Sequence, residues 1–538
     1  MEQPSSWAHV YAPRWAAEPL QRDPEHEDTA GCVVLVGTEA EKVRSAATVV
    51  RKLGRPVVVM HEGGTRRRLG PTEFVVRHNH PADLVEFLEA LIAEGMTPRG
   101  VLCTTFLDAT SDAETGIEQV LSLCIALVGR VREPRMELPV VVAVRSGETA
   151  ALAGLAQTVR LEQPALRLRT VRVDGAPEAE LVPALVAELD DARLTEHREA
   201  RLGPGRDRQV RAYTPVELGD TRDDGASLVR ESASYLITGG AGSLGLITAR
   251  WLLSRRAAGS PIGLVLVGRS QLDPQRRASV DELSIGPEVQ IRYVRGDIAD
   301  RTVAREAVRT ATELGPLRGV VHAAGVLEDG LLAGRTSPAL GAVWRTKVGG
   351  ALALVEATEG CDLDYFLCYG SASSSLGSVG QAEYALANRF LTELALQAPR
   401  DGRLGRVLTV DWPLWREGGM EVPSERTEKV LASAGLRLLE TREALDLLPR
   451  LMACGENGVV VLPGDAARLE KRLGLVMADD HRRIAGDSCT EPDVAPGSTA
   501  GSPPASRQGD EDESDAVLAE LRTIMARLLK VDADALDP

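Results

Sequence analysis

The chain has 538 residues, 44% of them hydrophobic, and a formal net charge of −16. That length suggests roughly two to four domains, and the acidic balance excludes a nucleic-acid footprint, which needs a basic face. The first thirty residues are charged throughout and lack the apolar core of a signal peptide, and the longest apolar run, around Val120 to Val128, is too short to span a membrane.

Aromatic residues make up only 3%, so the core must be built from Ala, Val and Leu. Arg66, Arg67 and Arg68 form a short basic run, expected to be a solvated loop. The seven cysteines are scattered with no CxxC pair. This indicates neither a zinc site nor a disulfide framework, and buried free thiols suit a reducing, cytoplasmic setting.

In chain order, strand-like apolar runs stand at 32–36, 56–60, 100–103, 139–144 and 170–173, with helical stretches between them, for example 81–94 and 117–131. This alternation predicts an α/β unit with a parallel sheet. The first strand is followed by Gly37, Thr38, Glu39 and Ala40. One glycine and a carboxylate do not make a phosphate loop, so residues 1–226 read as a Rossmann-like structural unit without a nucleotide site.

A second unit, 227–477, repeats the alternation, with strands at 235–238, 263–267, 289–294, 319–322, 365–369, 406–411 and 459–462. The fold class expected is therefore two consecutive Rossmann-like doubly wound sheets. Residues 478–512 are rich in Pro, Gly, Ser and acid and read as a flexible linker. Beyond them, Val517, Leu518, Leu521, Ile524, Met525, Leu528 and Leu529 recur at helical spacing. They outline one amphipathic helix in 513–538.

The second unit opens with Thr238, Gly239, Gly240, Ala241, Gly242, Ser243, Leu244 and Gly245 between a strand and a helix. Gly240, Gly242 and Gly245 have GxGxxG spacing in the context that a dinucleotide site requires. The helix N-terminus offers free N–H groups to a pyrophosphate. The next strand ends in Gly268, Arg269 and Ser270. A guanidinium there, in place of a carboxylate, favours a 2′-phosphate and so NADPH. Asp297 and Ile298 end the third strand, where an adenine edge would lie, and Asp297 can accept from the adenine amine. His322 is read as structural. Ala323, Ala324 and Gly325 after it let the backbone approach the nicotinamide ribose.

Tyr384 and Asn388 are four apart on one helix, Ser371 stands thirteen residues before Tyr384, and Lys347 lies on the preceding helix. These types suit carbonyl reduction. Tyr384 is the expected general acid, and an ammonium nearby lowers its pKa. Lys347 supplies that ammonium, held by Asn388, and Ser371 donates a second bond to the carbonyl oxygen.

These residues resemble the short-chain dehydrogenase/reductase superfamily, and more closely the ketoreductase region of modular polyketide synthases. Ketoreductases of that group carry YxxxN with the lysine on an earlier helix, as with Tyr384, Asn388 and Lys347, whereas ordinary members exchange Lys and Asn. The loop from Thr238 to Gly245, the segment from His322 to Leu327 and the segment from Trp412 to Met420 match as well, the last being similar to synthases that use separate acyltransferases. The resemblance covers roughly 8–475. It implies an inactive Rossmann-like subdomain before the catalytic one, and an NADPH-dependent reduction of a carrier-bound β-ketoacyl thioester. The final helix looks like the first helix of an acyl carrier protein, and the implied partners are that carrier and other domains of the synthase. Leu327, Glu328 and Asp329 resemble the Leu-x-Asp segment of enzymes giving D-configured products, with Glu328 departing from the usual Asp. Leu376 occupies the position of the opposing tryptophan marker, and Gln381 completes the residues implied to orient substrate. A catalytically degenerate scaffold is the alternative reading, against which the intact tetrad and loop glycines weigh. No metal is implied.

Overall fold

The structure is a computed structural model and describes residues 8–21, 31–107, 112–129, 137–145, 147–173, 178–191, 199–203, 207–219, 228–284, 286–398, 404–418 and 424–473. The expected linker and the carrier-like helix lie outside these residues.

Two parallel α/β halves are present. In the first, strand Cys32–Gly37 runs between Val57–Glu62 and Pro98–Cys103. Leu138–Val144 and Leu166–Arg172 extend the sheet on one side. In the second half, Ala233–Thr238 runs between Ile262–Gly268 and Leu317–His322. Val289–Arg295 extends it on one side, and Tyr365–Ser371, Arg406–Trp412 and Gly458–Pro463 extend it on the other.

Both faces are covered, and the side-chain alternation along a strand shows it. Val34 and Val36 enter one apolar cluster while Val33 and Leu35 enter another. Leu236 and its neighbours Tyr235 and Ile237 divide in the same way. Such double burial explains why these strands read as nearly continuous Val/Leu/Ile runs.

The structure adds a junction that the apolar runs did not reveal. Strand Glu199–Leu202 lies parallel to Leu166–Arg172 and antiparallel to Arg208–Pro215. Arg208–Pro215 pairs antiparallel with Ala8–Ala17, which pairs antiparallel with Gly458–Pro463. The two halves therefore share one 17-stranded sheet. Ala8–Ala17 contains His9, Pro13 and Arg14, so no local hydrophobic signal announced it. The basic run is likewise not a loop: Arg67–Gly70 is a strand antiparallel to Glu73–Val76. Its arginines stay exposed, with Arg66 on Glu86 and Arg68 on Glu94.

At the junction, Arg172, Arg201 and Arg211 lie over the Trp15 ring at 5.4, 4.9 and 4.2 Å. Buried Glu199 and Glu393 pair with Arg211 and Arg389. Arg389 and Glu393 belong to the helix Ala382–Gln397, which carries Tyr384. Removing one member of such a network strands a buried charge, so the junction ties the first half firmly to the catalytic helix.

In the first half, Glu39 occupies the N-cap of helix Ala40–Lys52 and pairs with Lys42 at 2.9 Å. The Glu39 side chain makes no cap bond to that helix. Among the described residues no helix is long and apolar enough to cross a membrane. No group of His, Cys, Asp and Glu among them could hold a metal.

Candidate active site

A cleft of about 740 Å³ opens at the carboxyl ends of the second half's strands, where ligands of open α/β sheets bind. One end is formed by the glycine loop. Gly239 has φ +65°, a left-handed conformation that favours glycine. A Cβ at Gly245 would meet the Gly239 carbonyl at 2.3 Å, so loop and helix approach as only glycine permits. Helix Ser243–Arg255 begins at Gly242 with no side-chain cap, which leaves its first N–H groups for an anion. Ser243 and Leu244 line the cleft, as do Gly268, Arg269 and Ser270. The residues fit a dinucleotide: a tight glycine cradle, an uncapped helix, and guanidinium groups at the far end.

Arg269 is exposed, and a second cation, Arg276, lines the same end. Tyr293 supports this corner by donating its hydroxyl to the Ser270 carbonyl at 2.7 Å. Neither Arg276 nor Tyr293 carried a sequence signal, because neither falls in a motif. Asp297 is engaged by the protein's own groups. Its carboxylate accepts from Arg345 at 2.8 Å and from the Ala299 N–H at 3.1 Å. Ile298 is buried and packs close to Gly350.

Thr238 and His322 form a buried relay. The Ala324 N–H donates to Thr238 Oγ1 at 3.2 Å, and Thr238 Oγ1 lies 2.8 Å from His322 Nδ1. His322 Nε2 lies 2.9 Å from the carbonyl of Lys347. A carbonyl only accepts, so Nε2 carries the proton and Nδ1 accepts from Thr238. Burial lowers the His322 pKa to about 4, so it is neutral and links the loop strand to the lysine turn. Ala323 and Gly325 line the cleft, and a Cβ at Gly325 would stand 3.8 Å from Lys347 Nζ.

Lys347 lies on a single π-helical turn, Arg345–Gly349, a feature frequent at functional sites. It is buried, and its Nζ donates to the Tyr369 carbonyl at 3.0 Å. That nitrogen stands 5.5 Å from the centre of the Tyr384 ring. Burial lowers the lysine pKa to about 8, with Cys368 and Asp411 opposing. Asn388 does not hold Lys347 as expected. Its Nδ2 donates to the Tyr384 carbonyl, one turn back, at 2.7 Å, the local i−4 bond open to a helical polar side chain. The Tyr369 carbonyl takes the holding role.

Burial raises the Tyr384 pKa above the usual phenol value, while hydrogen bonds from Ser371 and Asn388 pull it down. Ser371 Oγ accepts from the Ser373 N–H at 3.3 Å and the Ser373 hydroxyl at 3.1 Å. Its own proton goes to the Tyr384 hydroxyl. Ser371, Lys347 and Tyr384 all line that cleft.

Two acids near the tetrad were missed. Glu383, beside Tyr384, accepts from the Gly341 and Trp344 N–H groups at 2.7 and 3.1 Å. It thereby caps the helical stretch that leads to Lys347 and fixes the lysine and tyrosine helices to each other. Asp411 is buried and accepts from Ser374 at 2.6 Å and Thr392 at 2.8 Å. Burial pushes its pKa up to about 6. An acid inside the apolar run Val410, Asp411, Trp412 was the available signal.

Asp329 and Gln381 also line the cleft, joined by a bond of 3.0 Å from Gln381 Nε2 to Asp329 Oδ1. Leu376 ends the short helix Ser373–Leu376 and also lines it.

Residues 233–417 match the family described as KR domain. The chain is 32% identical over 332 residues to polyketide synthase PksN of Bacillus subtilis (strain 168), covering 60% of this chain and 6% of that protein. It is 35% identical over 329 residues to polyketide synthase ThaG of Burkholderia thailandensis, covering 59% of this chain and 6% of that protein. The chain thus spans a small part of these relatives. Among solved structures, an N-terminal ketoreductase from the macrolactin assembly line superposes with TM-score 0.73 at 20% identity, covering 87% of this chain and 94% of that one. The glycine loop and all four tetrad residues fall inside the matched segment, which is similar to KR domains within a fold shared with solved ketoreductases.

Proposed function

We propose that this chain reduces a carrier-bound β-ketoacyl thioester to the β-hydroxyacyl thioester during polyketide biosynthesis, using NADPH and giving a D-configured product. The observation that carries the reading is the cleft itself, with a glycine cradle and cations at one end and Ser371, Lys347 and Tyr384 at the other. When bound, NADPH supplies the hydride. Gly240, Gly242, Gly245 and the first turn of helix Ser243–Arg255 hold its pyrophosphate, and Arg269 with Arg276 pairs with the 2′-phosphate.

As charge grows on the substrate oxygen, Ser371 donates to it and Tyr384 transfers its proton. Burial keeps Tyr384 protonated until that moment. Lys347, charged at neutral pH, then stabilises the phenolate that Tyr384 becomes. Asp329 and Gln381, with leucine rather than tryptophan at 376, support entry of the tethered substrate from the side that leads to the D-configured alcohol. In this reading residues 1–226 brace the catalytic unit, 478–512 are a linker, and 513–538 correspond to the first helix of an acyl carrier protein, in a synthase of the separate-acyltransferase type. The partners are that carrier and the other domains of the synthase.

The test is direct. The full chain, given NADPH and a β-ketoacyl pantetheine thioester, should oxidise NADPH and yield a product two hydrogens heavier. NADPH oxidation no faster than in a thioester-free control overturns the proposal.

A further inference from the structure

We infer that Glu162, in the half without a nucleotide loop, is a positioning residue that sets the substrate side of the active site. This rests on reading the cleft as a ketoreductase site, and the residue itself does not line that cleft. Its Oε2 accepts from the Leu332 N–H at 2.7 Å and its Oε1 from the Gly380 N–H at 3.0 Å. Those two amides belong to different loops. One follows strand Leu317–His322 and carries Leu327 and Asp329. The other runs from the short helix ending at Leu376 to the Tyr384 helix and carries Gln381.

The loops are also fastened to each other. The Gly330 N–H donates to the Gly380 carbonyl at 2.8 Å, next to the bond between Gln381 and Asp329. One turn earlier on the Glu162 helix (Leu152–Glu162), Thr158 accepts from the Ser378 N–H at 3.3 Å. The same helix packs against the catalytic helix so closely that a Cβ at Gly154 would meet the Ala385 carbonyl at 2.5 Å. A single helix of the first half therefore touches both substrate loops and the general-acid helix. Burial pushes the Glu162 carboxyl up, and the two N–H groups hold it down. An ionised carboxylate is the side chain suited to this place. It offers acceptors on both oxygens, so one group can serve two loops at once.

Glutamine offers one acceptor and turns an N–H₂ toward the other amide. Glu162→Gln should therefore release one loop while keeping size and burial. The full chain is compared as wild type, Glu162→Gln, Glu162→Ala, Thr158→Val and Asp329→Ala. Hydrogen exchange should rise across 327–332 and 376–381 in Glu162→Gln, while the core of the Tyr384 helix stays protected. The thioester KM should rise roughly fivefold, the value of one lost hydrogen bond. The ratio of the two alcohol configurations should fall by a similar factor, with NADPH affinity unchanged. Thr158→Val should give a smaller change of the same kind, and it decides the matter if Glu162→Ala fails to fold. Loops that exchange as in wild type overturn the inference. So do loosened loops with an unchanged KM and product ratio. If Asp329→Ala leaves the ratio intact, the loops do not set stereochemistry, and KM together with exchange decides the role of Glu162. If the wild type reduces no thioester, the functional reading fails, while the exchange data still decide the positioning role.

Discussion

Replacing Lys347 with methionine separates what the buried ammonium does for stability from what it does for catalysis. Burial lowers the folded pKa to about 8, against an unfolded value of about 10.4. Below pH 8 both states are protonated, and the fold carries the whole cost of the buried charge. Between pH 8 and 10.4 the folded state gives up its proton first. The unfolded state then binds more protons, so this group's contribution to stability rises with pH. At about 1.4 kcal/mol per pKa unit, the cost is about 3 kcal/mol at neutral pH, of which about 2 kcal/mol is relieved by pH 9.5.

Methionine keeps the length and removes the charge, but it leaves the Tyr369 carbonyl without its donor, a loss of about 1.5–3 kcal/mol. At pH 7 the two effects nearly cancel, and Lys347→Met should be close to wild type in stability. At pH 9.5 the wild type should be the more stable by about 2 kcal/mol. The assay is urea unfolding of both proteins at both pH values. Taking their difference cancels groups remote from Lys347; Cys368, whose thiol burial pushes up to about 12 and whose effect has the opposite sign, interacts with Lys347 and is therefore replaced by alanine in both proteins. Turnover should fall by roughly 10²–10⁴-fold in the variant. In the wild type it should decline as pH rises through about 8 and the ammonium is lost. A stability difference that does not move between the two pH values would refute the assigned burial cost.

Tyr384→Phe should abolish reduction while NADPH still binds, since only the proton donor is lost; near-normal turnover would rule out Tyr384 as the acid. Arg269→Ala should weaken NADPH far more than NADH, by about 1.5–3 kcal/mol for a charge-assisted bond, and equal losses for the two cofactors, measured by titration, would reject its pairing with the 2′-phosphate. Calorimetric titration of the full chain should give one NADPH per chain, because Glu39 occupies the corresponding turn of the first half; a second site of comparable affinity would show that turn to be misread.

Much of this protein was legible from its residues alone. The α/β alternation, the glycine loop between strand and helix, and the order Lys347, Ser371, Tyr384, Asn388 are local patterns, and the fold brings three of those four into one cleft. What tertiary structure decided depends on contacts between distant elements. Ala8–Ala17 joins the two halves through backbone hydrogen bonds, which a strand of almost any composition can form, so hydrophobic periodicity did not mark it. Lys347 is held by the Tyr369 carbonyl rather than by Asn388, because a side chain's partner depends on which helix face meets which strand end. Glu162 lies 170 residues before Leu332 and 218 before Gly380. A glutamate at the end of an amphipathic helix reads as solvated surface. Only the packing of that helix against the catalytic one turns its carboxylate toward two backbone amides.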